Sequence, residues 1–128
     1  MNCIILCHGQ LAQSLFDTAR KITGDIENVV CLSNENLSVH DIEELLSDKI
    51  NSFDTTTDIL IFVGIKGGSC WNAALKTAKK HKNIHVISGV NLPMFITFCT
   101  NRDRLSLNEL LEKIINSGRT GIDINSSI

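Results

Sequence analysis

No charge of one sign dominates this 128-residue sequence: 12 Lys and Arg stand against 14 Asp and Glu, a formal net charge of -2. Without a basic field to grip a phosphate backbone, nucleic-acid binding is not expected. Long hydrophobic runs are missing too. Apolar stretches such as residues 59–63 fall far short of the roughly 20 residues that cross a bilayer, and no basic segment precedes the apolar N-terminus as it would in a secretory leader. A cytoplasmic protein is therefore expected. Repeats, low-complexity tracts and shifts to linker-like composition are also absent, which leaves one domain over residues 1–128. A content of 43% hydrophobic and 20% charged residues is ordinary for such a domain.

The five cysteines, Cys3, Cys7, Cys31, Cys70 and Cys99, are odd in number and irregularly spaced, so they make no disulfide framework. Cys3 and Cys7 fall in an expected strand, where four residues span roughly 13 Å, too far for a bridge or a shared metal. Buried thiols in a reducing compartment are the simpler reading. His81 and His85 have helical metal-ligand spacing, but Asn83 and the start of a strand fall between them. No metal or other cofactor is expected. Neither Gly-x-Gly-x-x-Gly nor a Walker A loop is present, so nucleotide binding has no support.

What the sequence does contain is an alternation of strand-like and helix-like patterns, the signature of an α/β domain: a doubly wound, mainly parallel four-stranded sheet with helices on both faces. Residues 4–7, 29–32, 59–63 and 84–88 are the four strands. Leu11, Leu15, Ala19 and Ile22 share the face of a first helix that ends before Gly24. Ser38 and Asp41 form a capping box for a helix carrying Val39, Ile42, Leu46 and Ile50. Ser69 is a natural N-cap for a helix with Trp71, Ala74, Leu75 and Ala78. Residues 94–99 make a short helix with Pro93 in its first turn, and Ser106 with Glu109 caps a last helix that stops at Gly118. Residues 120–124 read as one more strand, with an edge or a partner subunit as its only place to pair.

In a doubly wound sheet ligands bind beyond the carboxyl ends of the strands. The segments there are His8-Gly9, residues 64–69 and residues 89–93, and their only ionisable side chains are His8 and Lys66. A histidine closing the first strand, followed by a glycine that admits another backbone, is placed to act on a ligand, although a hydrogen-bonded structural histidine is the competing reading. Gly67, Gly68 and Ser69 supply unobstructed N–H groups at a helix N-terminus, an arrangement that holds anions and is also simply how strands join helices. His40 reads as a surface residue in a helix first turn, and Lys79, Lys80 and Lys82 as a solvated cluster at a helix end. A receiver domain would carry an aspartate at Gly64 and acids after the first strand; histidine, not aspartate, is the candidate acceptor.

With these segments placed, the sequence resembles the mannose-family IIA component of the sugar phosphotransferase system. The matching residues are Cys7-His8-Gly9 with Leu15 and Ala19 behind them, Gly67-Gly68-Ser69-Cys70-Trp71-Asn72-Ala73-Ala74, Gly89-Val90-Asn91-Leu92-Pro93-Met94, and Ser117-Gly118-Arg119-Thr120-Gly121. The resemblance implies a phosphocarrier that accepts a phosphoryl group on His8 from the phosphocarrier protein HPr and passes it to a IIB component, so serving a membrane sugar permease indirectly. It also implies a homodimer that exchanges the C-terminal strand. Gly67, Gly68 and Ser69 would hold the phosphoryl oxygens, with Gly9, Lys66 and Asn91 as accessory candidates.

One departure stands out. Family members commonly carry an aspartate where this sequence has Gly64, and that carboxylate orients the active histidine. Here a backbone carbonyl, water or another residue substitutes, or His8 is a weakened acceptor. Two alternatives follow: a IIA-like regulatory or binding module with weakened or lost phosphotransfer, and the phosphotransfer subunit of dihydroxyacetone kinase, which shares the fold and a strand-one histidine.

Overall fold

The computed structural model describes residues 1–54 and 56–127. Four strands and five helices follow in the order β1 (Asn2–Cys7), α1 (Leu11–Thr23), β2 (Val29–Ser33), α2 (Val39–Ser52), β3 (Ile59–Val63), α3 (Ser69–Ala78), β4 (Ile84–Ile87), α4 (Leu92–Asn101) and α5 (Leu107–Thr120). The sheet order is β2-β1-β3-β4, and every pairing is parallel. Continuous apolar runs in β1 and β3 follow from this placement, because a central parallel strand is covered on both faces.

The side-chain period of two divides those runs between two cores. Cys3, Ile5 and Cys7 of β1, with Leu60 and Phe62 of β3, meet Ala12, Leu15 and Ala19 of α1, Phe95 and Phe98 of α4, and Leu110 and Ile114 of α5. Ile4 and Leu6, with Ile59, Ile61 and Val63, face Ile42, Leu46 and Ile50 of α2 and Cys70, Ala73 and Ala74 of α3. Phe62 anchors the first core edge-on to Phe95 and Phe98, with ring centroids 6.1 and 5.9 Å away, a geometry that the quadrupoles of aromatic rings favour.

The Ser38–Asp41 capping box forms at the start of α2. At α5 the Ser106 hydroxyl accepts from the Glu109 N–H at 3.4 Å, but the Glu109 carboxylate bonds that hydroxyl at 2.7 Å instead of the backbone, so only half of the expected box is made. Ser69 is the first residue of α3 and Gly68 its N-cap, a shift of one residue from the sequence expectation. The fourth strand ends one residue early, at Ile87, and α4 starts at Leu92, capped by Asn91.

Two expectations for the C-terminal region are corrected. Gly118 does not stop the last helix, which runs on to Thr120. Gly118 is instead buried where α5 meets α4, and a Cβ there would lie 2.6 Å from Met94 Cγ. Its lack of a side chain serves close packing, not termination. Nor do residues 120–124 form a strand: Thr120 closes α5, and residues 121–127 belong to no helix or strand. With α5 extended to Thr120, the segment does not pair with either open sheet edge, and Ile122 and Ile124 are 77% and 84% exposed. Among the described residues, no helix is long and apolar enough to cross a membrane.

Candidate functional site

The parallel register brings the carboxyl ends of the strands to one rim, with Cys7 opposite Ser33 and Leu6 opposite Val63. The chain leaves β1 for β2 on one side and reaches β3 on the other, so the rim above β1 and β3 is the switch point at which doubly wound sheets open a crevice. His8, the first residue after β1, stands there with its side chain exposed. Gly9 follows at φ +58, a left-handed conformation that suits glycine and turns the chain towards α1.

The β3–α3 loop comes to meet the histidine. Gly67 has φ +88, and a Cβ on Gly68 would lie 3.5 Å from His8 Cε1, so the bare Gly68 backbone runs directly against the ring. Next comes the start of α3. Its first intrahelical bond is from the Asn72 N–H to the Gly68 carbonyl at 3.0 Å, so the N–H groups of Ser69, Cys70 and Trp71 have no partner within the helix. Orphan donors at the positive end of a helix dipole favour an anion, phosphate included.

Two residues that the sequence reading passed over complete the rim. Asn34, just beyond the end of β2, donates from Nδ2 to Ser69 Oγ at 3.4 Å, and its own N–H bonds the Cys7 carbonyl at 3.3 Å. The rule that selected His8 also selects Asn34, since both follow a strand end. Cys70 lies with Sγ 3.9 Å from His8 Nδ1; its cue was its place beside Ser69 in the helix first turn. Burial pushes the Cys70 thiol above its usual range, partly opposed by hydrogen bonding from Ser69. Burial likewise carries Cys7 up to about 11, with the Cys70 thiol adding to the shift. Both are neutral thiols near pH 7, not nucleophiles.

Of the accessory candidates, Lys66 is exposed in the same loop. Asn91 is engaged elsewhere: its Oδ1 accepts from the Met94 N–H and its Nδ2 donates to the Gly118 carbonyl, both at 3.1 Å, capping α4 and tying it to α5. Gly64 brings no side chain to the rim. A Cβ there would meet Cys7 Sγ and Leu11 Cδ2 at 3.6 Å, ordinary contact distances, so space does not demand glycine.

The other histidines lie apart from this arrangement. His85 meets Asp58 at 3.0 Å and His81 meets Ser47 at 3.4 Å, so the two have separate partners. His40 is exposed between Glu43 and Glu44, at 3.7 and 3.1 Å. Among the described residues, no three His, Cys, Asp or Glu side chains are grouped to hold a metal ion.

The comparisons with known proteins agree with one another. Residues 2–115 match the family described as the PTS system fructose IIA component. The chain is 33% identical over 116 residues to the sorbose-specific EIIA component of the PTS system of Klebsiella pneumoniae, covering 89% of this chain and 84% of that one. It is 32% identical over 123 residues to the mannose-specific EIIAB component of Escherichia coli strain K12, covering 93% of this chain but 38% of the relative's length. Among solved structures, the phosphotransferase system component EIIA from Streptococcus agalactiae superimposes with a TM-score of 0.87 at 25% identity, over 96% of this chain and 95% of that one. The chain therefore belongs to the mannose family of IIA components of the phosphotransferase system.

Proposed function

We propose that this chain is a cytoplasmic phosphocarrier in which His8 accepts a phosphoryl group from phospho-HPr and hands it to a IIB component that serves a sugar permease. The observation that carries this reading is the meeting of His8 with the α3 N-terminus at the switch point, where the Gly68 backbone leaves only 3.5 Å between a would-be Cβ and His8 Cε1. A nucleophilic nitrogen and a set of orphan N–H donors stand on the same rim.

Transfer runs between two imidazoles. A lone pair on one His8 ring nitrogen forms the new N–P bond as the donor's N–P bond breaks, and the donor ring keeps the released electron pair. The protein's part is positioning and neutralisation of charge spread over the phosphoryl oxygens. The N–H groups of the α3 first turn and the Ser69 hydroxyl are placed for that, with Gly67 and Gly68 keeping the approach open. No cofactor is required. The chain works as a homodimer in this reading, with the exposed Ile122 and Ile124 segment covered by a partner subunit.

A specific observation favours a second reading. Gly64 offers His8 no carboxylate, which is what a regulatory or binding module with lost phosphotransfer would show. The curated relatives named above are sugar-system components, so the sugar phosphotransferase system is preferred to the dihydroxyacetone kinase subunit. Incubation with phosphoenolpyruvate, enzyme I and HPr separates the two main readings. One acid-labile phosphoryl group, absent from His8→Ala, supports the phosphocarrier, and its absence in the presence of phosphorylated HPr supports the binding module.

A further inference from the structure

An exposed histidine that accepts a phosphoryl group needs its ring held and one nitrogen kept free of its proton. Among the described residues, no carboxylate makes a hydrogen bond or ion pair with His8. What lies against the ring is sulfur: Cys70 Sγ stands 3.9 Å from Nδ1, within reach of a long hydrogen bond to sulfur. Cys70 is 1% exposed and packs in the core beneath α3 with Ala73 and Ala74, so its sulfur is fixed by the helix and shielded from water. The ring is thus bounded at Nδ1 by Cys70 and at Cε1 by Gly68, neighbours at one loop–helix junction.

We propose that Cys70 is the positioning residue for His8: its sulfur accepts the Nδ1–H and holds the ring in the tautomer whose lone pair lies on Nε2, turned away from the helix. The proposal deepens, and rests on, the reading of His8 as the acceptor. The opposite polarity, with the thiol donating to Nδ1, would leave the ring proton on Nε2 and remove the outward lone pair; an imidazole N–H is also the better donor of the two. A buried neutral thiol orients the ring without supplying the negative charge that a carboxylate brings to an imidazolium. Cys70 therefore performs the orienting half of a carboxylate's work.

The test is long-range nitrogen–proton NMR of the 15N-labelled chain above the histidine titration range, where the two ring-nitrogen shifts report the tautomer directly. His8 in the unmodified protein is expected to be mainly Nδ1–H, the form that free histidine disfavours. Cys70→Ala should return it to mainly Nε2–H, and Cys70→Ser, which retains an acceptor, should stay with the unmodified protein. Backbone amide spectra establish that each variant is folded. An unmodified protein already mainly Nε2–H, or a Cys70→Ala variant with an unchanged tautomer, overturns the proposal. In the phosphorylation assay Cys70→Ala should slow acceptance roughly three- to tenfold, the worth of one modest hydrogen bond, with rescue by Cys70→Ser. Because the tautomer is read without any phosphoryl donor, failure of phosphotransfer would count against the proposed function alone, and an unmoved tautomer against Cys70 alone.

Discussion

Asn34 Nδ2 donates to Ser69 Oγ at 3.4 Å, joining the end of β2 to the start of α3 across the rim that carries His8. The bond occupies a lone pair of the hydroxyl and leaves its proton to be given to the neighbouring sulfur or to an arriving anion. Ser69→Ala is expected to slow phosphoryl acceptance about tenfold or more, since a donor to a charged group is removed. Asn34→Ala should cost less, about two- to fivefold. If Asn34 acts only through Ser69, the double variant is no slower than Ser69→Ala, a coupling that rate measurements on the four proteins would show. Fully additive losses would disprove that link.

Gly64 is next. Its would-be Cβ contacts are ordinary, at 3.6 Å from Cys7 Sγ and Leu11 Cδ2, so Gly64→Asp should fold. With Cys70 already orienting the ring, the added carboxylate supplies only the charge that the thiol lacks, and the acceptance rate is expected to rise modestly, about two- to fivefold. A gain of tenfold or more, measured with phospho-HPr in excess, would show that the ring is unrestrained in the natural sequence.

Gly118 carries a prediction about stability alone. A Cβ at this position would lie 2.6 Å from Met94 Cγ and 2.8 Å from its Sδ, and Met94 is itself 4% exposed. Overpacking of that kind typically costs about 1–3 kcal/mol, and Gly118→Ala should lower the urea midpoint accordingly while His8 stays competent. A midpoint equal to that of the natural sequence would mean that the Met94 side chain moves aside at no net cost.

The thiols give a pH dependence with a definite sign. Cys7, Cys31 and Cys99 are carried by burial from 9.0 to about 11, and burial also pushes Cys3 well above its ordinary value. Below about pH 9 both folded and unfolded thiols hold their protons, and this contribution to stability is complete. Between about pH 9 and 11 the unfolded chain releases protons that the folded chain keeps, so stability falls as pH rises through the folded values. The sequence contains no tyrosine to titrate in the same window. Urea midpoints should decline from pH 9 to 11, and the decline should flatten in Cys31→Ala and Cys99→Ala. A midpoint constant across that window contradicts the assignment.

Much of the fold is legible in the amino-acid sequence. Alternating apolar runs dictated the sheet and its two helical layers because a central parallel strand has no solvent face to advertise. The position of His8 and of the Gly67-Gly68-Ser69 turn on the rim is legible because both follow apolar strand runs. Cys70 escaped because a cysteine inside an apolar helix face reads as core, and it is core; only the approach of the ring from β1 gives its sulfur a second role. Asn34 escaped because the turn after β2 lacks the glycines that drew attention elsewhere. Gly118 misled because a helix-ending glycine and one that lets two helices touch look alike until the neighbouring helix is in place. The expected strand at residues 120–124 was absorbed at its start by α5, whose pattern continues through Thr120.

Phosphorylation of His8 can be read from intact mass after incubation with phosphoenolpyruvate, enzyme I and HPr, before and after brief acid treatment. A single added phosphoryl group that acid removes and that never appears on His8→Ala is the expected result. An unchanged mass while HPr itself is phosphorylated, or equal labelling of His8→Ala, would contradict it.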